Sequence, residues 1–272
     1  MEVGADLTAE ALAPLLGDRP LRSYPALLST EADAQAWARA GAPHGGVVVA
    51  DYQASPRGRG GLVWEVRPER DLAFSVVLRP ALSAQDEGWL YLATLRALAD
   101  VLGPKADLHW PDELRDGERV LGCAGVFAEL GPDRLDWAVA TVLVPDVGGP
   151  RGGLLARLLG AIDARLAQDR DEVRGDYRNR CATLGRHVRA RLIPMGPTGP
   201  QVAGLAVDCA SDGALVLLTA AKRRIAVRPH HLGLLEPADD TSGDEVPAEI
   251  TALSRLGRPP SPPAAGDGPA PR

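Results

Sequence analysis

The sequence predicts an α+β protein that closes with a small β-barrel, on three observations. Apolar runs of strand length (Val47–Ala50, Leu72–Leu78, Val120–Leu130, Leu135–Val144) are interleaved with segments whose apolar residues recur every three or four positions, as on one helix face. From His187 onward only short strand-like runs follow one another. From about Ala238 the composition turns to Pro, Gly, Ala and Ser, which offers no apolar face to bury and predicts a disordered tail.

In chain order, residues 1–28 read as an entry segment with a short helical piece from Thr8 to Ala13, stopped by Pro14. Ser29-Thr30-Glu31-Ala32-Asp33 opens a helix to about Ala40, with a hydroxyl cap and acids in the first turn. The turn cluster Gly41–Gly46 leads into the strand Val47–Ala50, and His44 reads as an exposed turn residue. After Leu72–Leu78 a helix is expected from about Gln85 to Leu102, with Leu95, Leu98, Ala99 and Leu102 on one face and Gly103-Pro104 ending it. Asp116-Gly117 is a hairpin signal ahead of the strand Val120–Leu130. A long helix from Leu154 to Gln168 follows Leu135–Val144. Residues 177–186 link to the last module, with strands at His187–Ile193, Ala203–Val207, Ala214–Leu218 and Arg224–Val227 and a tight turn at Asp212-Gly213.

Composition narrows the function. A chain of 272 residues can bury one large core or two modest ones. Its net charge of −6 argues against a general nucleic-acid binder. Cys123, Cys181 and Cys209 are too widely spaced for a zinc site or a disulfide framework, and read as core residues in a reducing cytosol. Neither a signal peptide nor a membrane span of about 18 apolar residues is expected.

The most informative stretch is residues 50–66. Arg57 and Arg59 alternate with Gly58, Gly60 and Gly61. Glycine permits positive φ and close approach to a ligand, and arginine gives a planar fork suited to phosphate and carboxylate. The pattern describes a mobile loop that can close over an anionic small molecule; a solvated surface loop explains it equally simply. His109–Leu114 is the second such stretch. Its acids Asp112 and Glu113 suit Mg²⁺ or are two solvated acids in a surface turn.

Taken in order, these motifs resemble those of the biotin protein ligases. The family's adenylate loop reads Gly-Arg-Gly-Arg-Arg-Gly-Arg, after Asp-x-Gln and before a Trp. Asp51, Gln53, Arg57, Gly58, Arg59, Gly61 and Trp64 match it, while Pro56, Gly60 and Leu62 depart from it. Ser29 and Thr30 match a Ser-Thr-Asn that hydrogen-bonds the biotin ureido ring, with Glu31 in place of Asn. Trp110, Pro111 and Leu114 match Lys-Trp-Pro-Asn-Asp-Leu, with Asp112 and Glu113 at the Asn-Asp pair that helps place nucleotide and metal. Aligning Ala124-Gly125 on the family's Ala-Gly puts Gly122 where a lysine would touch both carboxylate and α-phosphate, and Arg119 is the nearest cation. Residues 138–144 carry side chains where the family has pocket glycines, with Val139 and Val142 expected to fill that space. Cys181-Ala182-Thr183-Leu184-Gly185-Arg186 matches the entrance to the family's SH3-like domain.

The resemblance implies a biotin/lipoate ligase fold: a mixed β-sheet with helices packed on one face, then an SH3-like barrel. It divides the chain into an N-terminal segment (1–23), a catalytic-type domain (24–180), the SH3-like domain (181–237) and a tail (238–272). It implies ATP, Mg²⁺ and biotin, with biotin activated to biotinyl-5′-AMP and passed to a lysine of a biotin carboxyl carrier domain. On this reading Arg59 and Arg119 supply catalytic charge. Ser29, Thr30, Gln53, Arg57, Gly58, Gly61, Trp64, Trp110, Asp112, Glu113 and Gly122 surround the adenylate, and Asp112 and Glu113 face the metal. No DNA-binding role is expected, because too little chain precedes Ser29 for a helix-turn-helix. The alternative is a non-catalytic descendant that binds a partner through the retained fold.

Overall fold

The computed structural model describes residues 4–195 and 199–239; beyond residue 239 the expected tail lies outside the described residues. Strands β1 (Leu21–Leu27), β2 (Val47–Gln53) and β3 (Leu72–Leu78) begin a sheet that β4 (Asp107–His109), β5 (Glu113–Asp116), β6 (Arg119–Leu130) and β7 (Leu135–Val144) complete. Their spatial order is β1-β2-β3-β7-β6-β5-β4. Strands β1 and β2 run parallel and every other neighbouring pair is antiparallel, so the sheet is mixed.

Helices α3 (Trp89–Leu102) and α4 (Arg151–Ala167) cover one face, with α1 (Ala9–Leu16) and α5 (Arg170–Arg180) packed on them. Phe74, Val76, Ala124, Ala140 and Val142 point into this layer against Leu95 and Leu98 of α3. Each fully buried leucine there contributes roughly 2 kcal/mol by leaving water. The other face holds α2 (Thr30–Arg39), so helices lie on both faces and not on one. Small Ala34 and Ala38 let α2 sit close to Val48, Val77 and Val139. Cover on both sides explains why every residue of β3 is buried and why its sequence reads as an unbroken apolar run.

Three elements differ from expectation. Strand β1 lies in the supposed entry segment. Helix α1 continues through Pro14 to Leu16, because its outer side is exposed and water can satisfy the carbonyl that proline leaves free. Helix α5 takes in residues 170–176 and the first four residues of the supposed linker, capped by Asp169, whose side chain accepts from the amides of Asp171 and Glu172.

The C-terminal unit is a five-stranded antiparallel sheet of β8 (His187–Leu192), β9 (Gln201–Cys209), β10 (Leu215–Leu218), β11 (Arg224–Val227) and β12 (Leu232–Pro237), in the order β11-β10-β9-β8-β12. Strand β12 is additional to the four expected. The barrel is tied to the first sheet through Trp110, whose amide donates to Thr183 Oγ1 at 3.0 Å and whose indole Nε1 donates to the Gly213 carbonyl at 2.9 Å.

Candidate active site

Alternation along the strands builds a floor on the α2 face. Thr30, at the start of α2, meets Gln53 at the end of β2: Gln53 Oε1 accepts from the Thr30 amide at 2.8 Å and from its hydroxyl at 3.2 Å. Ser75 of β3 donates to Thr30 Oγ1 at 3.0 Å and shares a 2.9 Å hydrogen bond with Thr141 of β7. All four side chains are buried. Ser29 stands beside them as the α2 cap, accepting from the Ala32 amide at 3.4 Å. The sequence motifs do not single out Ser75 and Thr141. They are detectable as hydroxyls inside otherwise apolar strands.

The arginine loop lies against this side of the sheet at Gly125, with which Thr141 is in register. A β-carbon on Gly125 would stand 2.9 Å from the Arg59 nitrogen and the Gly58 carbonyl carbon. Gly58 is covered by the Trp64 indole, which a β-carbon would strike. Gly60 (φ 59°) and Gly61 (φ 78°) have the left-handed backbone that glycine accepts without strain. Arg57 is exposed and donates to the Gly61 carbonyl at 3.0 Å.

Arg59, by contrast, is 5% exposed. Its Nε donates to Asp112 Oδ2 at 2.8 Å, Nη1 donates to the Leu232 carbonyl, and Nη2 donates to the Gly233 carbonyl at 3.4 Å. The mobile loop arginine expected from the sequence is here a buried one, each of whose three nitrogens donates one hydrogen bond. Burial pushes the Asp112 carboxyl above the usual aspartate range, and Arg59 offsets only part of this.

Asp112 and Glu113 do not fit a Mg²⁺ ion as they stand. Asp112 is taken by Arg59, and Glu113 Oε2 accepts from Arg115 Nε at 2.8 Å. Among the described residues, no group of three or more His, Cys, Asp or Glu could hold a metal ion.

Three other positions differ from their expected places. A bulge leaves Leu121 unpaired, since Leu114 faces Gly122 and Arg115 faces Val120. A β-carbon on Gly122 would then meet Leu98 Cδ2 at 3.0 Å and Leu102 Cδ1 at 3.1 Å, on the α3 side and away from the floor. Arg119 is exposed at the start of β6, about 20 Å along the strand from Gly125 at some 3.3 Å per residue. Val139 faces α2, but Val142 points into the α3 layer, so the two cannot fill one pocket. Trp110 serves the barrel junction described above.

Outside the loop, a cleft of about 540 Å³ runs between α2, the loop, the start of α3 and the far half of β6, lined by Glu31, Gly58, Tyr91, Phe127, Leu130 and His230 among others. Glu31 Oε1 accepts from Gln35 Nε2 at 2.7 Å, while its buried Oε2 has no hydrogen-bond partner. Burial pushes the Glu31 carboxyl up, against the Gln35 bond and the charge of Arg57. A protonated Glu31 can donate a hydrogen bond, which an ionised one cannot.

Comparison with known proteins agrees with this architecture. The chain is 34% identical over 215 residues to the biotin–[acetyl-CoA-carboxylase] ligase of Mycobacterium tuberculosis, covering 70% of this chain and 79% of that protein. It is 33% identical over 101 residues to the bifunctional ligase/repressor BirA of Bacillus subtilis, a match to 31% of that protein. Among solved structures, the biotin protein ligase of Aquifex aeolicus in complex with biotin and ATP superposes with a TM-score of 0.60 at 21% identity, covering 81% of this chain and all of that one. A biotin protein ligase-like protein of unknown function from Silicibacter gives 0.54 at 16% identity, over 80% of this chain and 96% of that one. No family model matches. The fold is that of the biotin protein ligases, and the chain belongs to that family.

Proposed function

We propose that this chain is an ATP-dependent biotin protein ligase whose acceptor is a lysine of a biotin carboxyl carrier domain. The observation that carries the reading is the meeting of Thr30, Gln53 and the arginine loop on one sheet face, in a chain 34% identical to a biotin ligase. In the first step a biotin carboxylate oxygen attacks the α-phosphorus of ATP and pyrophosphate leaves. In the second, a lysine amine attacks the acyl carbon of the adenylate and AMP leaves. Neither step needs an enzyme nucleophile. The chain's task is to position two anions and neutralise their charge. Thr30 and Gln53 offer polar groups for the ureido ring, Arg57 is the exposed cation at the loop, and Arg59 is the buried one. The magnesium expected from the resemblance has no free ligand pair at Asp112 and Glu113, so no step is assigned to it. A cytoplasmic site of action follows from the same reading.

Biotin-dependent pyrophosphate release from ATP and Mg²⁺, followed by labelling of a carrier domain, tests this. Release that depends on biotin and falls in Arg57→Ala is the expected result; none above a no-enzyme control would sink the proposal. One observation favours a second reading, a non-catalytic binding protein. Gly122 faces leucines and Arg59 is already engaged, which leaves Arg57 as the loop's exposed cation. Carrier binding without pyrophosphate release would select it.

A further inference from the structure

We propose that the arginine loop is latched shut by the protein's own acceptors, and that an anionic ligand enters by displacing Asp112 from Arg59. That the ligand is an adenylate rests on the ligase reading above; the latch itself does not.

Three contacts make the latch. The Arg59 fork is shared between one carboxylate and two barrel carbonyls, so each of its three nitrogens already donates to an acceptor of the chain itself. The Gly58–Arg59 backbone is pressed onto Gly125 so closely that not even a methyl group fits between. Trp64 covers Gly58, and the loop closes on itself through Gly58 N to Leu62 O at 2.8 Å and Leu62 N to Arg59 O at 3.1 Å. The place over Gly125 is thus filled by the chain, beside the Thr30–Ser75–Thr141 hydroxyls that a ligand on the floor would need to reach.

The charge on Asp112 decides the strength of the hold. A carboxylate–guanidinium hydrogen bond is roughly twice as strong as a neutral one. A phosphate or acyl phosphate offers Arg59 the same geometry with equal or greater charge, and can compete where a neutral molecule cannot. Leu232 and Gly233 open β12, directly after the turn Pro229–His231. Lifting the loop therefore also breaks its contact with the barrel, and the barrel's seat on the first sheet sets how firmly the loop is held.

The test uses the full chain without ligand. Hydrogen exchange should show residues 58 to 62 protected in the wild type, and trypsin should cut after Arg57 and Arg59 slowly. Asp112→Asn keeps the shape and removes the charge. It should raise exchange and cleavage in the loop about tenfold or more, while the exchange of β3 and β7 stays unchanged. The variant should also bind AMP and pyrophosphate about tenfold more tightly, because the internal competitor is weakened. Wild-type loop amides exchanging at unprotected rates would overturn the latch, and that result needs no variant to fold. Loop protection unchanged in Asp112→Asn would overturn it too, as would weaker anion binding, which would make Asp112 a positioning group and not a competitor. An opened loop that binds pyrophosphate but no AMP would support the latch and count against the ligase reading, and one that binds neither anion would overturn the displacement.

Discussion

At Gly122 the backbone turns its missing side chain toward Leu98 and Leu102, and the consequence is specific. A lysine there would thread its stem into packed leucines and bring a cation to the helix layer. Overpacking alone costs about 1–3 kcal/mol, and a buried unpaired charge adds to it. Gly122→Lys should therefore lower the melting temperature by several degrees and leave pyrophosphate release no higher than in the wild type. A rise in release with an unchanged melt would mean that β6 can shift its register to aim this position at the floor. Ser75 gives the complementary case. Its hydroxyl is the middle of a buried chain, so Ser75→Ala strips a partner from both Thr30 and Thr141. Leaving buried hydroxyls short of a bond costs about 1–3 kcal/mol. Urea denaturation should show a drop of that size, and a change under about 0.5 kcal/mol would mean water replaces the serine.

Between elements, a tight joint is Gly213 against Gly88. Gly213 has φ 86°, and a β-carbon on it would collide with the Gly88 carbonyl at the mouth of α3. Gly213→Ala forces a strained backbone and pushes the barrel off the start of α3, at more than about 1 kcal/mol. Trp110, whose indole bonds the Gly213 carbonyl, should report this as a shift in tryptophan fluorescence. A variant with wild-type emission and stability would show the joint to be compliant. The same joint marks the limit of what the sequence discloses. The place of the arginine loop between β2 and β3 is legible, because glycines and arginines have distinctive local chemistry. The partners of Arg59 are not, since Asp112 lies 53 residues away and Leu232 lies 173 away. Strand β1 is not legible in the sequence because it is a half-exposed edge strand with no apolar run, and Pro25 has no register partner in it. Helix α5 buries only Val173 and Tyr177, too few to make a visible stripe.

Over the whole molecule, acid should unfold the chain in two stages. His231 lies near His230, Arg228 and Glu87. Burial, then the charges of His230 and Arg228, lower its pKa from 6.5 to about 4 despite Glu87. The unfolded chain binds this proton more tightly than the folded one. Stability that is full above pH 6.5 is therefore lost as pH falls from 6.5 toward about 4. The second stage belongs to aspartates. Burial alone would raise Asp6, Asp71 and Asp86, but hydrogen bonds from Arg151, Arg67 and Arg170 respectively outweigh it and hold all three below the ordinary 3.8. Their contribution is complete above 3.8 and disappears as pH falls through their lower folded values. Asp112 and Glu31, both raised, act in the opposite sense and gain a proton in the folded state first, which blunts the first stage. Melting temperature measured from pH 7 to pH 2 should thus decline shallowly and then steeply. His231→Gln should make the upper limb shallower and spare the lower one; the remainder belongs to His109, whose pKa burial also lowers from 6.5. Asp71→Asn, which loses its charged acceptor for Arg67, should lower stability at neutral pH and flatten the limb below 3.8. An upper limb of unchanged slope in His231→Gln would remove His231 from the groups that take up the first protons.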